Sequence, residues 1–456
     1  MNADDNGLPL PQRYWAIVCI ALGITLAVLD GAIANVALPT IARDLRASDA
    51  ASIWIVNAYQ LAVTISLLPL AALGDRIGYR RVYLAGLALF TVASLGCALS
   101  DSLASLATLR VIQGFGAAGI MSVNTALVRM SYPSRLLGRG IALNAMVVAL
   151  SSAVGPTVAS AVLSVAAWPW LFAINVPIGI AAVAVGLRAL PADRGHDAPY
   201  DYLSALLNAC VFGLVIMTVD GLGHSQNYAM VIASGIGAVV LGYVFVRRQL
   251  NQPAPLLPVD LLRIPIFALS IGTSVASFTS QMLAFVALPF WLQHTLGLSQ
   301  VETGLYMTPW PLVIMVVAPL AGVLSDRYSA GLLGGIGLAL FAAGLLALAM
   351  LGAHPAPFDI VWRMALCGAG FGLFQAPNNR TILSSAPRHR SGGASGMLGT
   401  ARLSGQTLGA AIVALIFGVV PAHGPTLALY AAAAFAAVAA CVSLLRLGAK
   451  SPAHAG

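Results

Sequence analysis

Lysine and glutamate are almost missing from this 456-residue sequence: Lys450 is the single lysine and Glu302 the single glutamate. Charged residues make up 8% of the chain, against roughly 25% in a soluble domain. So little charge cannot coat a water-soluble particle. Ala449 precedes Lys450, so no Gly-x-x-x-x-Gly-Lys phosphate loop exists and ATP hydrolysis by that route is excluded. Cys19, Cys97, Cys210, Cys367 and Cys441 form no Cys-x-x-Cys pair and all fall in apolar stretches. That pattern supports neither a disulfide framework nor a zinc site and reads as small core residues. His196, His224, His294, His354, His389, His423 and His454 lie in loops, at helix ends or in the tail, with no metal spacing and no Ser-His-Asp arrangement. Basic runs interleaved with aromatics are absent too, so the net charge of +8 gives no nucleic-acid surface. No small-residue cleavage site follows the first apolar block, which reads as an uncleaved first helix.

What the chain has is apolar length. It is 59% hydrophobic, with a mean hydropathy of +0.89. A spanning helix needs about 20 apolar residues. The runs predict fourteen, over 14–38, 53–74, 82–100, 103–129, 138–164, 170–189, 201–221, 228–247, 266–294, 302–325, 332–352, 358–383, 394–419 and 425–447. An all-α integral membrane protein follows.

Basic residues set its orientation. With the N-terminus inside, the cytoplasmic loops and tail hold eighteen: Arg13, Arg76, Arg80, Arg81, Arg129, Arg135, Arg139, Arg188, Arg194, Arg247, Arg248, Arg263, Arg327, Arg380, Arg388, Arg390, Arg446 and Lys450. The outer loops hold Arg43 and Arg46. Both termini come out cytoplasmic.

The sequence also repeats. A shift of 254 lays Gly114 on Gly368, Gly116 on Gly370, Asn124 on Asn378, Pro133 on Pro387 and Gly138 on Gly392. Leu73-Gly74-Asp75-Arg76 pairs with Leu324-Ser325-Asp326-Arg327. Two six-helix bundles, 1–190 and 251–456, then flank a two-helix insert, 191–250. A parallel repeat of this kind marks a transporter with its substrate site between the halves. The Pro-rich stretch 251–265 reads as an inner-interface segment or a plain connector.

Four motifs carry a mechanism. Ala71-x-Leu73-Gly74-Asp75-Arg76-Ile77-Gly78-Tyr79-Arg80-Arg81 joins the second and third predicted helices. Its carboxylate can cap a helix N-terminus in the opposite half, a latch on one of two conformations, and its arginines can anchor at anionic headgroups. Asp30, in Leu29-Asp30-Gly31-Ala32-Ile33-Ala34-Asn35-Val36-Ala37-Leu38-Pro39, lies inside the first helix. A carboxylate at mid-helix costs about 2.5–3.5 kcal/mol on insertion scales. Desolvation favours the uncharged form of a carboxylate, which suits a group that takes up and releases a proton or holds a cation; the bland reading is an interhelical hydrogen bond. Arg110, in Arg110-Val111-Ile112-Gln113-Gly114, is an intramembrane cation that needs a partner or a wet cavity. Ser151-x-x-x-Gly155-Pro156-Thr157-Val158-Ala159-Ser160 offers small residues for close packing against the other half and a proline for a bend.

These motifs, in this order over about 14–446, resemble those of the major facilitator superfamily, and within it the fourteen-helix drug:proton antiporters. The resemblance implies a major facilitator fold and proton-coupled export of lipophilic or cationic compounds by alternating access, with no enzyme activity and the proton as the only coupling species. It makes Asp30 and Arg110 a candidate coupling pair. Asp75, Arg76, Arg80, Arg81, Gly155 and Pro156 join Asp326 and Arg327 as gating residues. Where the family's antiporter motif has further glycines, this chain has Ser151, Ala159 and Ser160, which keeps a proton-coupled importer of a metabolite open. A membrane sensor or membrane enzyme is the rival from another class.

Further candidates come from the second half. Glu302, before Pro309-Trp310-Pro311, reads as an outer proton entry or an interfacial anchor. Arg402 reads as a partner for Asp326 or for a backbone terminus. Gln375 and Asn378, with Asn35, Gln113 and Asn124, line a cavity or make structural hydrogen bonds. Tyr59, Phe285, Tyr306 and Trp310 stack on a substrate ring or cation, or anchor helix ends at the interface. The expected setting is a bacterial-type inner membrane, with lipid, protons and small substrate as partners, and a monomer.

Overall fold

A computed structural model describes residues 7–193, 195, 200–224, 228–252, 255–352, 354–387 and 390–448. Arg194, His196, Arg388, His389, Lys450 and His454 lie outside the described residues. The chain is all-helical, as the apolar runs predict. Its helices are α1 (Gln12–Asp44), α2 (Asp49–Ile77), α3 (Tyr79–Ala98), α4 (Leu103–Ser131), α5 (Leu137–Val165), α6 (Pro169–Ala189), α7 (Tyr202–His224) and α8 (Tyr228–Leu250). Then come α9 (Pro265–Thr295), α10 (Gln300–Leu324), α11 (Ala330–Ala349), α12 (Pro357–Ser385), α13 (Ser391–Val419) and α14 (Gly424–Leu445).

By length and composition, thirteen of these are fit to cross a membrane. The helix left out of that set is α12, 29 residues long. Asp359, Arg363, Gln375, Asn378, Asn379 and Arg380 lower its hydropathy; Asn378 and Arg380 find partners on neighbouring helices, and Asp359 and Arg363 pair with each other within α12. Two predicted helices break in the middle: α6 at Ile174, and α10 where Pro309 starts a new helical segment after Thr308. Proline lacks the amide hydrogen a continuous helix needs, so it sits at the first turn of the second piece.

The described residues form two compact units. One runs to Ser48 and from Trp54 to Ala209; the other takes Asp49–Ile53 and everything from Cys210. The division falls inside α7, not at either edge of the expected insert. Asn208 explains part of this, since its Nδ2 donates to the Ile65 carbonyl of α2 at 3.0 Å. Burial grades the helices by position. In α9, 78% of the most apolar window is buried, against 17% in α8. The outward face of α8, with Met230, Ile232, Ile236, Val239 and Val240, is exposed and apolar, as a bilayer requires.

The repeat is written into the helix contacts of both units. In the first, a Cβ added at Gly86 would stand 2.8 Å from the Gly116 carbonyl oxygen. In the second, a Cβ added at Gly337 would stand 2.6 Å from that of Gly370. The third and fourth helices of each unit therefore touch backbone to backbone at matched glycines, the close approach that small residues permit. The stretch after α8 folds against neighbouring helices. Val259–Arg263 form a short helix, and Leu261 packs with Phe267, Ile382, Ala386, Ala394 and Met397.

Candidate functional site

Asp30 and Arg110 meet. Both are buried, Asp30 at 2% exposed and Arg110 at 0%. Arg110 Nη1 donates to Asp30 Oδ2 and, at 2.6 Å, to Gln113 Oε1. Its Nε donates to the Ile55 carbonyl at 3.0 Å. Gln113 lies one helical turn beyond Arg110 on the same face, the spacing at which side chains meet. Its Nε2 donates to Asp30 Oδ1 at 3.0 Å and to Ser94 Oγ at 2.8 Å. Asn175 Nδ2 supplies a third donor to Asp30, 2.8 Å from Oδ1. The guanidinium carbon sits 4.2 Å from the Tyr59 ring centroid and 5.6 Å from that of Phe172. The carboxylate ties α1 to α4 and α6, and through Arg110 and Gln113 the network reaches α2 and α3.

The chemistry follows from the geometry. Both carboxylate oxygens are taken by donors, which is what a charged carboxylate needs. A proton arriving on Asp30 must compete with one of those donors, and neutralising the carboxylate leaves Arg110 without its counter-charge. Breaking a buried pair costs about 3–5 kcal/mol, and the bonds at stake join α1 to α4 and α6. By the 254 shift, Ala284 and Met364 stand where Asp30 and Arg110 would in the second unit. The charge is carried by one half of the repeat alone.

Sequence reasoning found the pair and missed part of its support. Asn175 was visible only as the head of Asn175-Val-Pro-Ile-Gly179, without a role. Ser94, Phe172 and Cys97 (whose Sγ lies 3.7 Å from Gln113 Oε1) carried no signal beyond that of ordinary core residues. Gln113 and Tyr59, expected on a cavity wall, are packed into this network, and Tyr59 also donates its hydroxyl to the Ala27 carbonyl at 2.8 Å. The small-residue face of α5 is corrected: it lies against α1 of its own unit. A Cβ at Gly155 would meet the Ala32 Cβ at 2.5 Å, and Ser151 Oγ lies 3.1 Å from Thr25 Oγ1. Pro156, beside it, is buried in the same face.

The loop between α2 and α3 holds its charged side chains on partners within the first unit. Asp75 Oδ1 accepts from the Tyr79 hydroxyl at 2.5 Å. The carboxylate at the N-terminus of α3 belongs to Asp193, which accepts from the amides of Tyr79 at 2.5 Å and Arg80 at 3.3 Å. Gly78 allows this, with φ of +103° and Asp193 Oδ1 2.9 Å from where a Cβ would stand. Arg76 Nη1 donates to the Tyr202 hydroxyl at 3.2 Å, Arg80 to the Leu187 carbonyl, and Arg81 to the Ile77 carbonyl at 3.4 Å. Losing a side-chain cap costs about 1 kcal/mol. Asp193→Ala is therefore expected to lower the thermal unfolding midpoint of the purified protein by a few degrees, with Asp75→Asn shifting it less.

In the second unit, Asp326 pairs with Arg380, which also donates to Ser325 Oγ at 2.9 Å. Arg402 is not its partner, contrary to expectation, because α12 presents Arg380 to the end of α10. Arg327 lies in the turn beyond α10. Glu302 is exposed and closes a capping box at the start of α10, its Oε2 accepting from Ser299 N and Oγ at 2.8 Å each. That is a structural use of the carboxylate. Asn378 is fully buried and donates to Ser274 Oγ at 2.8 Å. Trp310, also fully buried, stacks between Phe285 at 4.8 Å and Phe341 at 5.3 Å. Gln375, Tyr306 and Phe285 are half-buried. Asn35 Oδ1 and Asn124 Nδ2 are buried without a hydrogen-bond partner among the described residues.

Comparison with known proteins agrees with this architecture. The family model described as Major Facilitator Superfamily matches residues 20–410 and 269–455. The chain is 60% identical over 444 residues to the "Uncharacterized transporter YebQ" of Escherichia coli (strain K12), covering 97% of each chain. It is 30% identical to the "Riboflavin transporter RibZ" of Clostridioides difficile (strain 630), covering 90% of this chain and 89% of that one. It is 31% identical to the "Multidrug efflux pump LfrA" of Mycolicibacterium smegmatis, covering 89% of this chain and 81% of that one. With its helical repeat, its buried charge pair and these relatives, the chain belongs to the Major Facilitator Superfamily of multi-pass membrane transporters.

Proposed function

We propose that this transporter exports small lipophilic compounds, cationic ones included, in exchange for protons, by alternating access in a bacterial inner membrane with both termini cytoplasmic. The observation that carries the reading is the sealed Asp30–Arg110 pair, a buried carboxylate of α1 held by donors from α4 and α6, whose neutralisation would leave a buried cation without its counter-charge. A proton from the outer side binds Asp30 and frees Arg110; export substrate, arriving from the cytoplasm or inner leaflet, favours the state in which the proton has left. Each 100 mV of membrane potential adds about 2.3 kcal/mol per charge moved. The multidrug efflux pump among the relatives supports export.

The riboflavin transporter among the relatives favours a second reading, proton-coupled movement of a metabolite. Proteoliposomes under an imposed acid gradient separate the two. Export by exchange is expected to dissipate the gradient when a lipophilic dye is added, with dye and proton moving in opposite directions. Dye-independent gradients, together with a metabolite that travels in the same direction as the proton, would sink the export reading.

A further inference from the structure

Arg402, in α13, is a half-buried cation whose Nε finds no partner among the described residues. It is the twelfth residue of α13, so its Cα lies about 17 Å along the helix from the start, well inside the span. Its Nε is buried and has no hydrogen-bond partner, and the side chain makes no ion pair with any described residue. Thr400 Oγ1, two residues away, is likewise buried and unpartnered. Five carboxylates of the second unit are already engaged. Asp260, Asp326 and Asp359 are taken by Arg390, Arg380 and Arg363. Asp49 faces His294, and Glu302 is held in its capping box. An intramembrane guanidinium is costly unless something satisfies it.

The surroundings also leave room. Gly405 and Gly409 bring α13 against α9: a Cβ at Gly405 would stand 2.6 Å from the Val275 carbonyl oxygen, and one at Gly409 2.5 Å from that of Thr279. Both partner numbers rise together, so the helices run parallel. Arg402 lies three and seven residues before these glycines, on nearly the same face. Stepping the register back three residues from Gly405 and Val275 reaches Gly272, where an added Cβ would meet nothing within 4 Å. The backbones close at the two glycines, and exposed Gly272 leaves open space beside α9 at the level of the arginine.

We propose that Arg402 receives the anionic group of a transported amphipathic compound, a carboxylate or sulfonate carried on an apolar ring system. The substrate role rests on the export reading above; the anion site itself does not. A guanidinium presents paired N–H donors that match a carboxylate's two oxygens, and it stays charged at every physiological pH. An anionic lipid headgroup offers the same chemistry, so the test must tell lipid from substrate.

The experiment measures dye binding by fluorescence anisotropy to the full-length protein in nanodiscs of phosphatidylcholine alone. The probes are fluorescein, which carries a carboxylate, and a cationic rhodamine with the same xanthene ring. Arg402→Gln is expected to weaken fluorescein binding about tenfold or more, the scale of a lost charge-assisted hydrogen bond. Arg402→Lys should keep part of the affinity, and rhodamine binding should not change. On the wild-type protein, fluorescein should protect Arg402 from phenylglyoxal modification, a readout that needs no variant to fold. Equal fluorescein affinity in wild type and Arg402→Gln would overturn the proposal, as would equal weakening of both dyes. So would phosphatidylglycerol that abolishes the Arg402-dependent signal when added to the disc, since the site would then belong to lipid. If fluorescein binds through Arg402 but never crosses a vesicle membrane, the export reading fails and the anion site stands. If dye export proceeds with no dependence on Arg402, the reverse holds.

Discussion

Asp30→Asn is expected to reduce substrate-driven proton movement in proteoliposomes to the level of empty vesicles. Asparagine keeps the shape of the side chain and can accept from Asn175 or Gln113 through one oxygen. It cannot take up a proton, and it offers Arg110 no charge. Arg110 is fully buried and has no second carboxylate among its partners, which are Gln113 Oε1 and the Ile55 carbonyl. Removing one member of a buried pair costs about 3–5 kcal/mol, so the variant should also unfold at a lower temperature. The double variant Asp30→Asn with Arg110→Gln removes the orphaned charge and should recover much of that stability while remaining uncoupled. This separates the two roles of the pair: stability returns with charge balance, coupling does not. Gradient dissipation by Asp30→Asn at the wild-type rate would place the proton site elsewhere.

The helices and the Asp30–Arg110 pair were legible in the sequence for one physical reason. A bilayer has no water to satisfy a charge, so spans declare themselves by length, and the few charges inside them stand out and seek each other. The same rule made α12 visible in spite of its polar residues, because its glycines repeat those of α4. What stayed hidden lacked a contrast of this sort. Asp193 sits in a polar stretch where one carboxylate looks like any other, and its partner is the backbone of residues 79 and 80, far away in sequence. Glu302 drew attention by being the single glutamate, yet Ser299 three residues earlier was already the other half of a capping box. For Arg402 the sequence showed a charge in a span, but only the packing shows that every carboxylate suggested for it is already engaged.

Arg446→Ala is expected to cost the second unit more stability than the loss of any exposed basic residue, although the charge pattern treats them alike. Counted as a cytoplasmic positive charge, Arg446 is in fact 5% exposed. Its Nη1 donates to Asn378 Oδ1 at 2.6 Å and Ser270 Oγ at 3.1 Å. Its Nε donates to the Ser443 carbonyl at 3.2 Å, and its Nη2 to the Ala330 carbonyl at 3.4 Å and to Ser443 Oγ. One guanidinium therefore binds α9, α12 and α14 together with the start of α11, using neutral acceptors throughout. The charge is tolerated because it sits at the C-terminal end of α14, where the helix dipole favours a cation. Alanine would leave Asn378 Oδ1 short of its donor, at about 1–3 kcal/mol for a buried group left unsatisfied. The unfolding midpoint in detergent should fall clearly for Arg446→Ala and hardly at all for Arg263→Ala, whose side chain is exposed. Equal midpoints for the two variants would mean that Arg446 does no more than mark the inner side of the membrane. A selective loss would show that a positive-inside residue can also close the cytoplasmic end of a bundle.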